Sequence, residues 1–156
     1  MELSLSVRIA EEFLSKEKAS MPLDELARLA KRCGYGALCM RASQVGVHSS
    51  TETVTAAEDC LAETGLSVSM VTGDFDTVYN NENGPKALQN ITPYLDLAQR
   101  LGAPRIRVAL KEDADIPHAQ AAADEAFERG VQLVHQCHTL SSVSYTHLTL
   151  PTIYSV

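Results

Sequence analysis

Four stretches of this chain share one pattern, in which an amphipathic segment ends on a glycine and passes directly into an apolar run. The glycines are Gly34, Gly65, Gly102 and Gly130, at spacings of 31, 37 and 28 residues. Glycine often ends a helix because it enters the left-handed conformation without steric cost. Four such junctions, each leading into an apolar run of strand length, predict a repeated helix-to-strand unit. A parallel sheet covered by helices follows from that repeat.

The periodicity of apolar residues predicts where the strands and helices lie. Strands of alternating or continuous apolar character are expected at 3–9, 35–41, 66–71, 106–110 and 131–135. Helices are expected at 22–32, after a capping box formed by Ser49 and Glu52, at 85–100 with a break at Pro93, and from an N-cap at Asp115 through Arg129. The polar loop 72–85 connects the third strand to the next helix without a predicted element of its own.

The spacing of these units favours a closed barrel. Five strands within residues 1–142 correspond to roughly 28 residues per unit, so eight units would need about 230, near the length of a (β/α)₈ barrel. A doubly wound open sheet is the alternative, and it would favour a glycine-rich loop after the first strand. Residues 10–14 contain no glycine. The predicted fold is therefore an α/β parallel TIM barrel, truncated after about five βα units.

The sequence changes character after Ser142. The segment VSYTHLTLPT lacks a helical stripe where the sixth helix of the repeat is expected, and it resembles the translation of a transposase adapter used in sequencing libraries. We therefore expect residues 1–142 to be the N-terminal part of the barrel and residues 143–156 to be a non-native tail. A natural disordered or hairpin tail is the alternative.

The composition of the chain restricts which binding partners and which cellular compartment are expected. The net charge of −7 argues against a surface for nucleic acid or for an anionic membrane. The four cysteines form no CxxC pair, which favours reduced thiols, and no segment has the length and apolarity of a membrane span. These features predict a cytoplasmic protein that binds neither nucleic acid nor a membrane, and they leave a homo-oligomer open.

Several stretches together resemble a known family. They are LSLSVR at the start, GDF after the third strand, NITPYLDLAQRLGAPRIRV before and within the fourth strand, and GVQLVHQCHT at the fifth. This combination is similar to the sugar phosphate isomerases and epimerases of the xylose isomerase-like TIM barrels. That superfamily also contains hydroxypyruvate isomerases and endonuclease IV. The resemblance covers nearly all of residues 3–142.

The resemblance implies a divalent metal, Mn or Mg, at the C-terminal end of the barrel. Enzymes of this family move a proton between adjacent carbons of a hydroxy-carbonyl substrate, with carboxylate ligands and a carboxylate base. Gln136 stands where the family has a glutamate, and His138 matches the family's histidine. Gln136 can offer a carbonyl oxygen to a metal but cannot act as a base, so the base is expected elsewhere.

Other candidate substrate-binding residues follow the ends of predicted strands. Arg41, Asp74, Arg107, Lys111 and His138 are the set that we predict to contact substrate. Solvated loop charges are the alternative for Arg41 and Lys111, and an Asx turn is the alternative for Asp74. Arg107 lies within a strand and needs either a substrate oxyanion or a structural carboxylate.

The intact parent is expected to be a metal-dependent isomerase or epimerase, similar to hydroxypyruvate isomerase, while this fragment is expected to be inactive. Gln136 motivates one alternative, a non-catalytic barrel that binds sugars or regulates. An endonuclease IV-like nuclease is a second alternative, disfavoured because the acidic charge of the chain repels a phosphate backbone.

Overall fold

The computed structural model describes residues 2–135 of the chain. It contains five strands and five α-helices, with at least one helix between each pair of consecutive strands. The strands are β1 Ser4–Ser6, β2 Ala37–Arg41, β3 Ser67–Thr72, β4 Arg105–Val108 and β5 Gln132–His135. The helices are α1 Leu23–Arg32, α2 Thr51–Thr64, α3 Phe75–Tyr79, α4 Thr92–Arg100 and α5 Ile116–Glu128. Gln136, His138 and the expected tail at 143–156 lie outside the described residues.

The order of the strands identifies the type of sheet. All neighbouring strands are parallel, and the order in space is β1-β2-β3-β4-β5, the same as in sequence. A doubly wound sheet reverses its strand order at a switch point, whereas a TIM barrel adds each strand beside the one before it. The described residues therefore form consecutive βα units of a TIM barrel, as the sequence predicts.

One face of the sheet packs against the helices and forms the core. Leu38 of β2, Val71 of β3, Ile106 of β4 and Leu133 of β5 are buried on this face. The helices contribute buried apolar residues from their inward sides: Leu26, Ala27, Ala30, Val54, Ala57, Leu95, Ala98, Ala122 and Ala126. Burying apolar area in this layer is the main source of stability for such a fold.

The glycine junctions confirm the repeat that the sequence predicts. Gly34, Gly65, Gly102 and Gly130 all have positive φ, between 61° and 85°. Each lies between the end of a helix and the start of the next strand. The chain reverses within about two residues at these positions, which returns it to the sheet for another parallel strand.

The first strand is shorter than its alternating sequence predicts. β1 ends at Ser6, whose hydroxyl accepts a hydrogen bond from the Arg8 amide and starts a 3₁₀ turn at Val7–Ala10. Ile9, expected to continue the strand, is therefore exposed. Alternation alone cannot distinguish a strand from a short turn that a serine side chain caps.

The capping box predicted at Ser49 and Glu52 is wrong by one residue. Ser50 is the N-cap of α2, and its hydroxyl accepts from the Thr53 amide at 3.2 Å. The Ser49 hydroxyl instead accepts from the Gly46 amide at 3.0 Å. Two adjacent serines offer the same cap chemistry, and the loop before the helix decides which one serves.

The predicted break at Pro93 is confirmed. A 3₁₀ helix occupies Gly84–Gln89, and α4 begins separately at Thr92 with Pro93 in its first turn. Asp115 stands at the N-cap of α5, but its carboxylate accepts from the Lys111 and Glu112 amides and not from the helix. It closes the 3₁₀ turn Asp113–Asp115, which precedes α5.

Two general expectations can be compared with the described part of the chain. Cys33, Cys39 and Cys60 are free thiols. Among the helices at residues 2–135, none combines the length and the apolar character needed to cross a bilayer.

Candidate functional site

The face of the sheet opposite the helices carries polar and charged side chains, and we call it the inner face. Strand register places Ser6 beside Cys39, Arg41 beside Thr72, and Arg107 beside Val134. Val71 pairs with Ile106, so the next residues along β3 and β4, Thr72 and Arg107, are also level. The inner face therefore presents two arginines at one level, near the C-terminal ends of the strands where TIM-barrel active sites lie.

Arg41 forms a buried ion pair with a residue that sequence reasoning did not single out. Its Nε donates to Glu11 Oε1 at 2.7 Å, and Nη2 lies 3.5 Å from Oε2. The two side chains are only 8% and 6% exposed, and the Ser43 hydroxyl also donates to Glu11. Arg41 is therefore not a solvated loop charge, because the turn after β1 carries a carboxylate onto it.

The GDF sequence after β3 organises the loop that follows this strand. Gly73 gives space to an aromatic ring, since a Cβ there would lie 2.7 Å from Cδ1 of Tyr94. Asp74 accepts from the Thr77 amide at the start of α3 and from the Tyr94 hydroxyl at 2.6 Å. Phe75 packs against His48 with ring centroids 4.5 Å apart. Each residue of the motif thus positions a neighbouring element.

Tyr94 is held in its protonated form by this arrangement. Partial burial, followed by its hydrogen bond to the Asp74 carboxylate, raises the pKa of the Tyr94 hydroxyl. Both Asp74 oxygens are engaged by the protein, one through the Thr77 amide and one through Tyr94. This Asx-type arrangement matches the structural alternative for Asp74, and its contact with substrate stays a prediction.

Two cations from β4 and its following loop hold the end of α3. Arg107 Nη2 donates to the Thr77 carbonyl at 3.3 Å, and Lys111 Nζ donates to the Asn80 carbonyl. Thr77 lies in α3, and Asn80 is its C-cap. Cations stabilise the carbonyl end of a helix, so this contact fixes α3 across the end of the sheet.

Arg107 has an unusual environment for a charged side chain. It is 8% exposed, and its Nε is buried without a hydrogen-bond partner among the described residues. Burial, followed by the positive charge of Arg41, lowers the pKa of the Arg107 guanidinium, and Arg8 acts in the same direction. The nearby Cys39 thiol has a raised pKa because of burial, which leaves it neutral beside the two arginines.

A cavity of about 410 Å³ opens beside this group of charges. Arg8, Glu11, Lys16 and Tyr79 are among its lining residues. Lys16 is tied to Tyr79 because its amide donates to the Tyr79 hydroxyl and its ammonium lies 5.0 Å from the ring centroid. The cavity is therefore bordered by the loop after β1 on one side and by α3 on the other.

The described residues do not supply a metal centre. Within 2–135, the His, Cys, Asp and Glu side chains form no group of three that could hold an ion. The proposed ligand Gln136 and the substrate candidate His138 lie outside the described residues. His135 ends β5, and its Nδ1 lies 3.3 Å from the Val108 carbonyl.

The structure thus brings some predicted site residues together and separates others. Arg41 and Arg107 share the inner face. Asp74 and Lys111 contact opposite ends of α3, Asp74 as its N-cap and Lys111 through the carbonyl of its C-cap residue. Sequence reasoning missed Glu11, Tyr94 and α3. An acidic residue shortly after the first strand was a signal for Glu11, but its partner Arg41 is 30 residues away.

Comparison with known proteins adds the fold relationship. No protein-family model matches the chain, and no curated protein sequence matches it. Solved structures do match, and they show that the chain has the fold of the xylose isomerase-like TIM barrels. Their sequence identities of 12% and 16% support the fold alone.

Three solved structures illustrate the match. A xylose isomerase domain protein from Salmonella typhimurium has a TM-score of 0.66 and 12% identity, covering 97% of this chain and 56% of its own. A xylose isomerase-like TIM barrel protein from Mycobacterium smegmatis, in complex with magnesium, has a TM-score of 0.63 and 16% identity, covering 85% and 52%. A D-psicose 3-epimerase from Clostridium cellulolyticum, with D-tagatose, has a TM-score of 0.59 and 12% identity, covering 85% and 51%.

The matched proteins are longer than this chain and differ in activity. The chain spans between 51% and 56% of the length of the three structures above. A probable 3-DHS dehydratase from Bacillus anthracis and an AP endonuclease of family 2 from Brucella melitensis also match, at 12% and 15% identity. The fold is therefore shared by proteins described as a sugar phosphate isomerase/epimerase, a D-psicose 3-epimerase, a probable dehydratase and an AP endonuclease.

Proposed function

We propose that the chain is the N-terminal part of a metal-dependent isomerase or epimerase that acts on a small sugar, a sugar phosphate or a related hydroxy-carbonyl compound. In this proposal, residues 1–142 are the barrel part and residues 143–156 are a non-native tail. The reaction removes a proton from the carbon that bears the hydroxyl. An isomerase then returns a proton to the adjacent carbonyl carbon while the hydroxyl proton passes to the former carbonyl oxygen, whereas an epimerase returns a proton to the opposite face of the same carbon. The atoms balance without a further reactant.

One observation carries the proposal. Arg41 and Arg107 lie together on the inner face, at the C-terminal ends of parallel strands in a xylose isomerase-like barrel. Substrate-binding groups of TIM-barrel enzymes lie at this end of the sheet. A nuclease fits less well, since the net charge of the chain is −7 and the arginines of the inner face are buried and not spread over a surface.

In this proposal the described residues bind and orient the substrate, and the metal is held elsewhere. The Mn or Mg ion depends on ligands outside residues 2–135, with Gln136 proposed as the first of them. The magnesium complex of the Mycobacterium smegmatis protein supports this class of metal for the fold. Glu11 is not proposed as the base, because its carboxylate is committed to Arg41 and Ser43.

The experiment that tests the proposal uses the complete parent protein, in which the barrel continues through eight units. Its metal content would be measured after purification. Exchange of substrate C–H protons with deuterated water would be followed by NMR, with hydroxypyruvate and with free and phosphorylated ketoses. We expect bound Mn or Mg and exchange next to the carbonyl, whereas the chain 1–156 is expected to show none.

A non-catalytic barrel that binds sugars is the second candidate, and Gln136 is the residue that favours it. The same experiment separates the two functions. A parent that holds no Mn or Mg, lacks carboxylate or histidine ligands after strands six to eight and exchanges no protons would rule out the isomerase. Retained sugar binding in that protein would then support the binding function.

A further inference from the structure

Arg107 carries a buried positive charge that no carboxylate of the described residues neutralises. Arg41, the other inner-face arginine, is paired with Glu11 at 2.7 Å. Within residues 2–135, the Arg107 side chain forms no ion pair and makes one hydrogen bond, to the Thr77 carbonyl at 3.3 Å. A buried charge without a partner destabilises the fold, as it does when one side of a buried ion pair is removed.

The nearby acids are already committed to other partners. Glu11 is bound by Arg41 and Ser43, Asp74 by Tyr94 and the Thr77 amide, and Asp76 by the Asn81 amide group at 2.7 Å. The groups whose charges act on Arg107 include Arg41 and Arg8, both positive. Among residues 2–135, the charged side chains that act on Arg107 are thus mainly positive, and these three acids are bound to other groups.

The hydrogen bond from Arg107 to α3 does not explain why this position carries a guanidinium group. A single bond to a carbonyl uses one of the five N–H donors of a guanidinium, and a neutral side chain could supply it. The Nε donor is buried and has no partner among residues 2–135, so its desolvation is not compensated by a hydrogen bond there. The fork made by Nε and one Nη matches the two oxygens of a carboxylate or phosphate.

We propose that Arg107 binds an oxyanion, either a carboxylate or a phosphate group, of the substrate through its Nε and guanidinium fork. The inference rests on the proposed function for the identity of the ligand as a substrate, and it restricts that substrate to an anionic one. Arg8, whose positive charge acts on Arg107, also lines the cavity of about 410 Å³ together with Lys16, so a second source of positive charge is available to attract an anion.

The first test measures anion binding directly on the chain 1–156. The Arg107 Nε–Hε resonance of ¹⁵N-labelled protein would be followed during titration with inorganic phosphate and, separately, with glycolate. Sodium chloride at matched ionic strength is the control for screening. We expect a saturable shift with at least one of the two probes, and the tighter probe identifies the phosphate or the carboxylate class.

Variants distinguish a built site from general attraction. Arg107→Lys keeps the charge but removes Nε and the fork, so binding is expected to weaken about tenfold or more. Arg107→Met is expected to abolish it. Arg105→Met is the matched control, because Arg105 lies two residues earlier on the same strand and is exposed. It removes the same charge and should leave the affinity unchanged.

Thermal unfolding of dilute protein provides a second measurement that does not depend on assigning the resonance. Phosphate or glycolate should raise the melting temperature of the wild type and of Arg105→Met, but not that of Arg107→Lys. The absence of saturable binding by both probes, or equal weakening in Arg105→Met and Arg107→Lys, would overturn the proposal.

The outcomes separate this inference from the proposed function. Anion binding at Arg107 without proton exchange in the complete parent would leave the anion site standing and remove the isomerase. Proton exchange in the parent, combined with no effect of Arg107→Lys on anion binding, would remove the anion site alone.

Discussion

Glu11 and Arg41 form an ion pair that is buried in the fold. Both side chains are more than nine-tenths buried, and the guanidinium reaches both carboxylate oxygens. A buried pair of this type adds little over an apolar pair of the same size, but removing one member leaves an uncompensated charge. Removing one member of the pair is therefore expected to lower the free energy of unfolding by more than the intact pair contributes to it.

We expect Glu11→Gln to lower the free energy of unfolding by about 3 kcal/mol or more, because Arg41 loses its counter-charge while staying buried. Urea unfolding followed by circular dichroism measures the change. Asp24→Asn is the control, since it breaks the exposed Asp24–Arg28 pair at 3.2 Å and should have little effect. Equal losses in the two variants would contradict the buried pair.

Tyr94 is expected to stabilise the fold through its bond to Asp74. Tyr94→Phe should cost about 1–2 kcal/mol, because it leaves an Asp74 oxygen without its donor. Tyr35→Phe provides a matched control, since Tyr35 is partly buried against the core but its hydroxyl makes no hydrogen bond to the described residues. Urea unfolding of both variants gives the comparison, and a larger loss for Tyr35→Phe would refute this role.

The pH dependence of the Tyr94 effect has a definite sign. Folding raises the pKa of this hydroxyl, so its contribution is fully present below the unfolded value of about 10 and is lost as the pH rises through the folded pKa. The stability difference between wild type and Tyr94→Phe should therefore be constant across neutral pH. It should shrink only in alkaline solution, and a loss at acidic pH would indicate a different group.

Sequence reasoning located the arginines but not their partners. Arg107 was expected to need an oxyanion or a carboxylate because a charge inside a strand cannot remain solvated, and it is buried. For Arg41 the sequence does not decide between substrate and solvent, because its partner Glu11 comes from the turn after a different strand. Pairings between distant segments depend on register and turn geometry, which local patterns do not contain.

The glycine junctions are the elements that the sequence predicts most securely. Gly102 has a φ of 63°, and a Cβ added there would meet no atom within 4 Å. The conformation itself, and not crowding, is therefore the reason for glycine at this position.

Gly102→Ala is expected to lower the free energy of unfolding by about 1 kcal/mol, because alanine is strained in the left-handed region. Gly102→Asn should cost less, since asparagine tolerates that region better. Chemical denaturation of the two variants checks the order. An alanine variant as stable as the wild type would mean that the junction relaxes to another conformation.

Elements as short as α3 cannot be predicted from hydrophobic periodicity. α3 has five residues, and its start depends on Asp74 acting as an N-cap while its end depends on Arg107 and Lys111. No hydrophobic period is visible over so few positions. Longer elements such as α1 and α5 were predicted because several turns repeat the same apolar face.

At the scale of the whole molecule, the two outer strands of the described sheet each have one partner. Among residues 2–135, β1 pairs only with β2 and β5 only with β4. Apolar cavities of about 380 and 370 Å³ lie beside these edges. Leu5 and Ile9 are among the residues that line the first, and Phe127 and Val131 are among those that line the second. Strand edges next to apolar surface favour association with other chains.

We expect the chain 1–156 to self-associate with rising concentration, with Phe127 among the contacts. Phe127→Lys should lower the average mass measured by light scattering, because it places a charge beside the β5 edge. Phe13→Lys is the control, since Phe13 is 92% exposed but lies in the loop after β1, away from that edge. A chain that is monomeric at all concentrations would refute the expectation.

The barrel class can be predicted from features of the whole chain. Regular spacing of the units and the absence of glycine after β1 favoured one sheet type over the other, and the strand order then decided between them. The identity of the substrate was not predictable, because the same fold is found in isomerases, an epimerase and a nuclease.

The agreement between strand order and chain order also bears on how the molecule forms. Each new strand finds its neighbour within the preceding few tens of residues, so pairing requires only short loop closures. Contacts that are local in sequence form faster than those between distant segments. A polypeptide leaving the ribosome can therefore add one βα unit after another to an existing sheet edge, and synthesis and folding proceed in the same direction.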